Sequence, residues 1–195
     1  MSYRGRPGLS PVSATLLASG LLGPGDLTLD VGCGDGTEAL ALAVRGVPVV
    51  GVDWYGIERA RAEARRRGLD ATALFLRVSA LGLSRAFAPA TFDAALDTLV
   101  YNNIVARKGW KAAGRYVEEV AQVLRPGGLF AMAWRVAPYW AERSSAQLDR
   151  ELPRAFFRFF DAGESVLTHL PTRSVDARDR GYATVGLVIS RRRED

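Results

Sequence analysis

The sequence predicts an α/β protein: a doubly wound, mostly parallel seven-stranded sheet with helices on both faces. Three observations carry this. Short apolar runs of strand length recur along the chain, segments of helical spacing alternate with them, and a glycine-rich turn links the first run to the helix behind it. Continuously apolar strands are buried on both faces, which a parallel sheet covered by helices provides.

The elements follow in order. Ser10 to Gly20 carries Val12, Leu16 and Leu17 ahead of a glycine stop, the pattern of an amphipathic helix. After the turn Gly23-Pro24-Gly25-Asp26, Leu27 to Val31 reads as a buried strand. The glycine loop Gly32 to Gly36 and a helix from Thr37 to Val44 come next. Val47 to Val52 is a second strand, with Pro48 near its start where the sheet tolerates it. Gly56 to Arg67 is a helix closed by Gly68. Further strands fit Ala73 to Val78, Phe92 to Asp97 and Leu129 to Trp134, the last after the turn Arg125-Pro126-Gly127-Gly128. Trp110 to Leu124 has helical spacing at Tyr116, Val117, Val120, Val123 and Leu124. Ser165 to Leu170 and Ala183 to Arg191 complete the strands.

Composition bounds the function. A chain of 195 residues, 48% hydrophobic and 24% charged, suits one globular domain over 1–195, and no apolar run approaches the length of a membrane helix. The first residues lack the apolar stretch of a secretory signal, so the cytoplasm is the expected compartment. Cys33 and His169 are each alone of their kind, which excludes an internal disulfide and the four-ligand zinc patterns; no metal is expected. The net charge of +5 is almost all arginine spread through an alanine-rich chain. Arg65-Arg66-Arg67 and Arg191-Arg192-Arg193 read as solvated ends rather than a nucleic-acid footprint, so neither nucleic acid nor membrane is an expected partner.

The chemistry points to the ends of the first two strands. In Asp30-Val31-Gly32-Cys33-Gly34-Asp35-Gly36 a glycine turn leads from a buried strand into a helix. Ligands of open α/β sheets bind there, where glycine lets the backbone approach and the helix start offers free N–H groups. The spacing G-x-G-x-G departs from the G-x-G-x-x-G of dinucleotide binders and argues against a dehydrogenase. Asp53, closing the second strand, is placed to accept hydrogen bonds from ribose hydroxyls; the alternative is a cap for the next helix.

LDVGCGDG, VVGVDW, FDAALD and VLRPGGLF together resemble the class I S-adenosylmethionine-dependent methyltransferases, over about Ser10 to Trp134. Within that family the chain looks most like the small bacterial tellurite-resistance and thiopurine enzymes. The resemblance implies a Rossmann-like methyltransferase fold in which Asp30, Gly32, Cys33, Gly34 and Gly36 cradle the methionine end of S-adenosylmethionine. Asp53 would then hold the ribose and Trp54 pack on adenine. Ser79 and Ala80 stand where the family often has an adenine-binding aspartate. Residues 1–25 would be an N-terminal helix or lid, 26–134 the cofactor core, and 135–195 the acceptor side with the closing strands.

For the transfer itself, the resemblance implies that the segment after the fourth strand faces the acceptor. Asp97, Tyr101, Asn102 and Asn103 are the catalytic candidates, with the cofactor a second contact for Asp97; the asparagines suit helix capping equally well. Methyl transfer from a sulfonium is an in-line displacement for which placement alone contributes up to about 7–11 kcal/mol. A base is needed only for a protonated acceptor, and His169 ranks below Asp97 for that task because a lone histidine in an apolar run is usually structural. The aromatic residues Tyr139, Trp140, Phe156, Phe157, Phe159 and Phe160 would roof an acceptor pocket, form a dimer contact or pack the sheet. The expected reaction is methyl transfer to a small molecule, leaving S-adenosylhomocysteine, by a monomer or homodimer. The competing readings are a cofactor-binding protein that transfers no methyl group and an RNA or protein methyltransferase.

Overall fold

The computed structural model describes residues 8–136, 154, 156, 158–161, 166–173 and 182–194. Seven strands form one sheet: β1 Thr28–Val31, β2 Val49–Asp53, β3 Ala73–Arg77, β4 Phe92–Thr98, β5 Leu124–Val136, β6 Val166–Arg173 and β7 Tyr182–Arg191. Their order is β3-β2-β1-β4-β5-β7-β6. The pairings among β1 to β5 are parallel, while β7 runs antiparallel to both β5 and β6. The predicted class holds, with the antiparallel pair at one edge.

Among the described residues five α-helices accompany the strands: α1 Pro11–Ala18, α2 Thr37–Ala43, α3 Ile57–Arg66, α4 Leu83–Ala86 and α5 Val100–Val123. Two apolar clusters fill the sheet's faces. One gathers Leu29, Val31, Tyr116, Val120 and Phe130, where α5 packs. The other gathers Leu16, Leu40, Ile57, Phe75 and Leu129, under α1, α2 and α3. Phe156 and Phe160 stack on each other and lie against Phe130 at 5.3 Å. These two rings of the predicted cluster therefore pack the sheet; Tyr139, Trp140 and Phe157 lie outside the described residues.

Two elements depart from the expected boundaries. The helix predicted from Trp110 starts earlier: α5 begins at Val100 and is broken only at Gly109, whose φ of 78° and ψ of 175° are far from helical. Positive φ there suits glycine, so two helical pieces share one run of sequence. The Arg125 to Gly128 turn instead continues β-pairing: Leu124 pairs with Phe92, and a register shift separates it from Leu129 opposite Ala94. Arg66 and Arg67 both pair with Glu63 on an exposed helix end, as a solvated face would. Among the described residues no helix is long and apolar enough to cross a membrane.

Candidate functional site

The order β2-β1-β4 brings the carboxyl ends of three neighbouring strands together at the point where the chain reverses its direction of travel across the sheet. Asp30 lies opposite Gly51 and Leu96, and Asp97 opposite Val31. Asp30, Asp53 and Asp97 thus converge with the glycine loop, as do their main-chain neighbours.

The loop is shaped by its contacts. Gly32 and Cys33 donate their N–H groups to the Val52 carbonyl at 2.7 and 3.0 Å, which folds the turn back over β2. Gly36 begins α2 in the left-handed region, and a Cβ there would meet the Phe75 ring at 2.8 Å. Gly34 also has positive φ, 56°, but a Cβ there meets nothing within 4 Å. One glycine is required by packing, whereas the other leaves open space in front of the backbone. Cys33 turns its side chain into the core, where burial pushes its thiol pKa far up, so only its main chain faces the loop.

Asp53 is the hub of the turn after β2. Its Oδ2 accepts the Gly34 N–H at 2.9 Å, and its Oδ1 accepts those of Trp54 and Tyr55 at 2.6 and 3.0 Å. Trp54 itself is 55% exposed. An indole left in water beside a half-buried carboxylate is the arrangement a flat base over a ribose would complete. Beyond β3, Ser79 starts a single 3₁₀ turn, Ala80–Gly82, and its hydroxyl accepts the Leu81 N–H at 3.2 Å. Ser79 is exposed and Ala80 half-buried at the neighbouring strand end.

The electrostatics are one-sided. Asp30 is buried, its Oδ2 has no hydrogen-bond partner, and its pKa stands well above the carboxylate range because of burial first and then the charges of Glu38, Asp53 and Asp97. Among the described residues no lysine or arginine pairs with any of these four carboxylates. Glu38, in the first turn of α2, is spent on tethers. It accepts hydrogen bonds from the Ser10 and Ser13 hydroxyls and, at 3.1 Å, from Thr98, fixing α1 over the strand ends. Residues 1–7, the expected outer part of a lid, lie outside the described residues.

Asp97 occupies a different position from the one a solvent-facing base needs. It is fully buried, and its two oxygens accept the N–H groups of Val100 and Tyr101 at 2.6 and 3.0 Å, capping α5. Leu99, between strand and helix, is held at φ 76°, an uncommon conformation for a side chain of its size. Burial raises the Asp97 pKa to about 7, opposed by those two N–H groups and by the nearby Tyr116 hydroxyl, which falls short of a well-aligned hydrogen bond.

The other catalytic candidates sit on α5 rather than in a loop: Tyr101 is buried in the core, Asn102 half-buried and Asn103 exposed. His169 is in β6, opposite Gly186, four strands from β1. At about 4.8 Å per strand that is roughly 19 Å, too far for a base acting at the glycine loop. Sequence reasoning missed Glu38, although an acid in the first turn of a helix after a glycine loop was visible, and it missed the cations of α5.

A family described as "Methyltransferase domain" matches residues 29–132. Among the solved structures similar to this chain are the following. The first, from work titled "Conversion of a Disulfide Bond into a Thioacetal Group during Echinomycin Biosynthesis", is 21% identical, with a TM-score of 0.74, over 96% of this chain and 83% of that one. An S-adenosylmethionine-dependent methyltransferase of Methanosarcina mazei is 22% identical, with a TM-score of 0.69, over 95% of this chain and 98% of its own. The cyclase SpnF is 20% identical, with a TM-score of 0.69, over 94% and 82%.

Proposed function

Because this chain belongs to the S-adenosylmethionine-dependent class I methyltransferase family, we propose that it binds S-adenosylmethionine at the β1, β2 and β4 ends and methylates a small molecule. The observation that carries the reading is Asp30: a buried carboxylate with an unpartnered oxygen, beside three further carboxylates and no paired cation. Four such groups favour a ligand that brings positive charge, and S-adenosylmethionine carries a sulfonium and an ammonium. When bound, it supplies an electrophilic methyl group.

The chain's own residues bind and orient. The open backbone at Gly34 and the start of α2, where a helix leaves N–H groups without intrahelical partners, suit the donor's carboxylate. Asp53 and exposed Trp54 suit ribose and adenine, Ser79 and Ala80 border the adenine side, and the main chain of Gly32, Cys33 and Gly36 fixes the curve of the loop. Asp97 acts as a positioning residue. By capping α5 it fixes the segment carrying Tyr101, Asn102 and Asn103, of which Asn103 is open to an acceptor. This suits transfer governed by placement, with little demand for a base.

The similarity to SpnF, a cyclase, favours one competing reading: retention of the donor without methyl transfer. Incubating the protein with S-adenosylmethionine and extract discriminates between them, since S-adenosylhomocysteine forms only on transfer. Calorimetric titration with either compound tests the site itself; no heat and no thermal shift with both would overturn the proposal.

A further inference from the structure

On the face of the sheet that carries α5, the helix beyond Gly109 and the turn at Arg158-Phe159 enclose a cavity of about 420 Å³. That volume lies within the range of small-molecule sites. Lys111 and Arg115, one turn apart on α5, line it together with Arg154 and Arg158 from the facing segment, and Glu118 is the sole carboxylate among the described lining residues. None of Lys111, Arg115 and Arg158 forms an ion pair among the described residues. Arg158 instead lies 5.6 Å from the centre of the Phe159 ring. Phe159 and Trp110, both half-buried, give the cavity flat apolar walls. Tyr101, which is buried, also lines it, and its N–H donates to Asp97 at the end of β4. Tyr101 thus belongs both to the cavity wall and to the turn that leaves β4 at the proposed donor cleft.

We propose that this cavity receives the acceptor, and that the acceptor is a small molecule joining an anionic group, carboxylate or phosphate, to a flat apolar body. The assignment rests on the donor reading above. Four cations face one carboxylate in this lining, and an anion gains their attraction at little desolvation cost because all four are exposed. The two aromatic walls recognise an apolar body by contact area and exclude a strongly hydrated one. A neutral flat acceptor gains the wall contact without the charge attraction, and a cationic one is repelled.

The test uses the full chain and three probes at low ionic strength: 4-hydroxybenzoate, phenyl phosphate and the neutral 4-hydroxybenzamide. Calorimetry or ligand-observed NMR is expected to show at least one anionic probe binding about fivefold tighter than the amide, the stronger one identifying the preferred group. The double variant Arg115→Gln, Arg158→Gln should cut that preference at least about twofold, Lys111 and Arg154 keeping the remainder. Glu118→Gln should strengthen anion binding by about twofold to threefold, which loss of folding cannot mimic. Equal binding of all three probes, or a preference undiminished in the double variant, overturns the cavity assignment. S-adenosylmethionine is titrated separately into the same proteins, so failure of the donor reading registers as absent donor heat, whatever the anions do.

Discussion

The main-chain N–H of Gly34 donates to the Asp53 carboxylate across 2.9 Å, tying the loop after β1 to the end of β2. Asp53 already accepts three N–H groups, and a carboxylate has about four acceptor positions. A ribose hydroxyl would add to this arrangement or displace the loop contact. Replacing Asp53 by alanine removes the ribose partner and releases the glycine loop together. Calorimetry is expected to show S-adenosylmethionine affinity reduced at least about tenfold, or about 1.4 kcal/mol. Unchanged affinity would refute the ribose placement.

Gly34 and Gly36 separate binding from folding. Alanine at either site meets positive φ, costing about 1–2 kcal/mol. At Gly36 the new Cβ also enters the Phe75 ring, for a total of about 2–5 kcal/mol. At Gly34 it enters open space. Urea unfolding should therefore find Gly36→Ala much the less stable, while titration finds Gly34→Ala folded but impaired in binding the donor. The reverse ranking would mean that the open side of the loop is not the ligand's side.

Much of this was legible beforehand because the signals are local. Val49 to Asp53 and Thr28 to Val31 announce buried strands by their mostly apolar residues, and the glycines between them mark where a side chain does not fit. What stayed hidden depends on contacts distant in sequence. Nothing near Asp97 says that its oxygens fold back onto Val100 and Tyr101, because Leu99 must first adopt an unusual conformation. Asn102 and Asn103 obscured the helical spacing of Val100, Tyr101, Ile104 and Val105, and Gly109 broke it. Lys111, Arg115 and Arg158 were lost in the arginine background; only the fold brings the turn at Arg158 against α5. Strand direction was equally hidden, since an apolar run such as β7 pairs either way.

The buried Asp97 gives stability a definite pH dependence. Its folded pKa, about 7, lies above the ordinary value of 3.8, so between these limits the native state holds a proton that the unfolded chain has released. Stability is greatest below the lower value, falls as pH rises through the window, and levels off above about 7; Asp30, also raised, adds in the same direction. The slope from one group is at most about 1.4 kcal/mol per pH unit. Asp97→Asn, which cannot ionise, should flatten the profile between pH 5 and 7, as read from urea midpoints. A variant profile parallel to that of the wild type would show that Asp97 does not titrate there.

Glu38 joins α1 to the strand ends through Ser10, Ser13 and Thr98, so its removal should act on one element before the whole fold. Hydrogen bonds to a charged group contribute about 1.5–3 kcal/mol each where buried, and this one carboxylate serves three hydroxyls. Glu38→Ala also takes one negative charge from beside Asp30, which lowers the Asp30 pKa and partly offsets the loss. The net expectation is a global loss of about 1–3 kcal/mol with a larger local effect. Amide exchange in Pro11–Ala18 should accelerate more than in β1 or β4, and trypsin should cut near the N-terminus sooner. Uniform acceleration across the sheet would instead make Glu38 a support of the core, and the attachment of α1 would then rest on its apolar contacts through Val12 and Leu16.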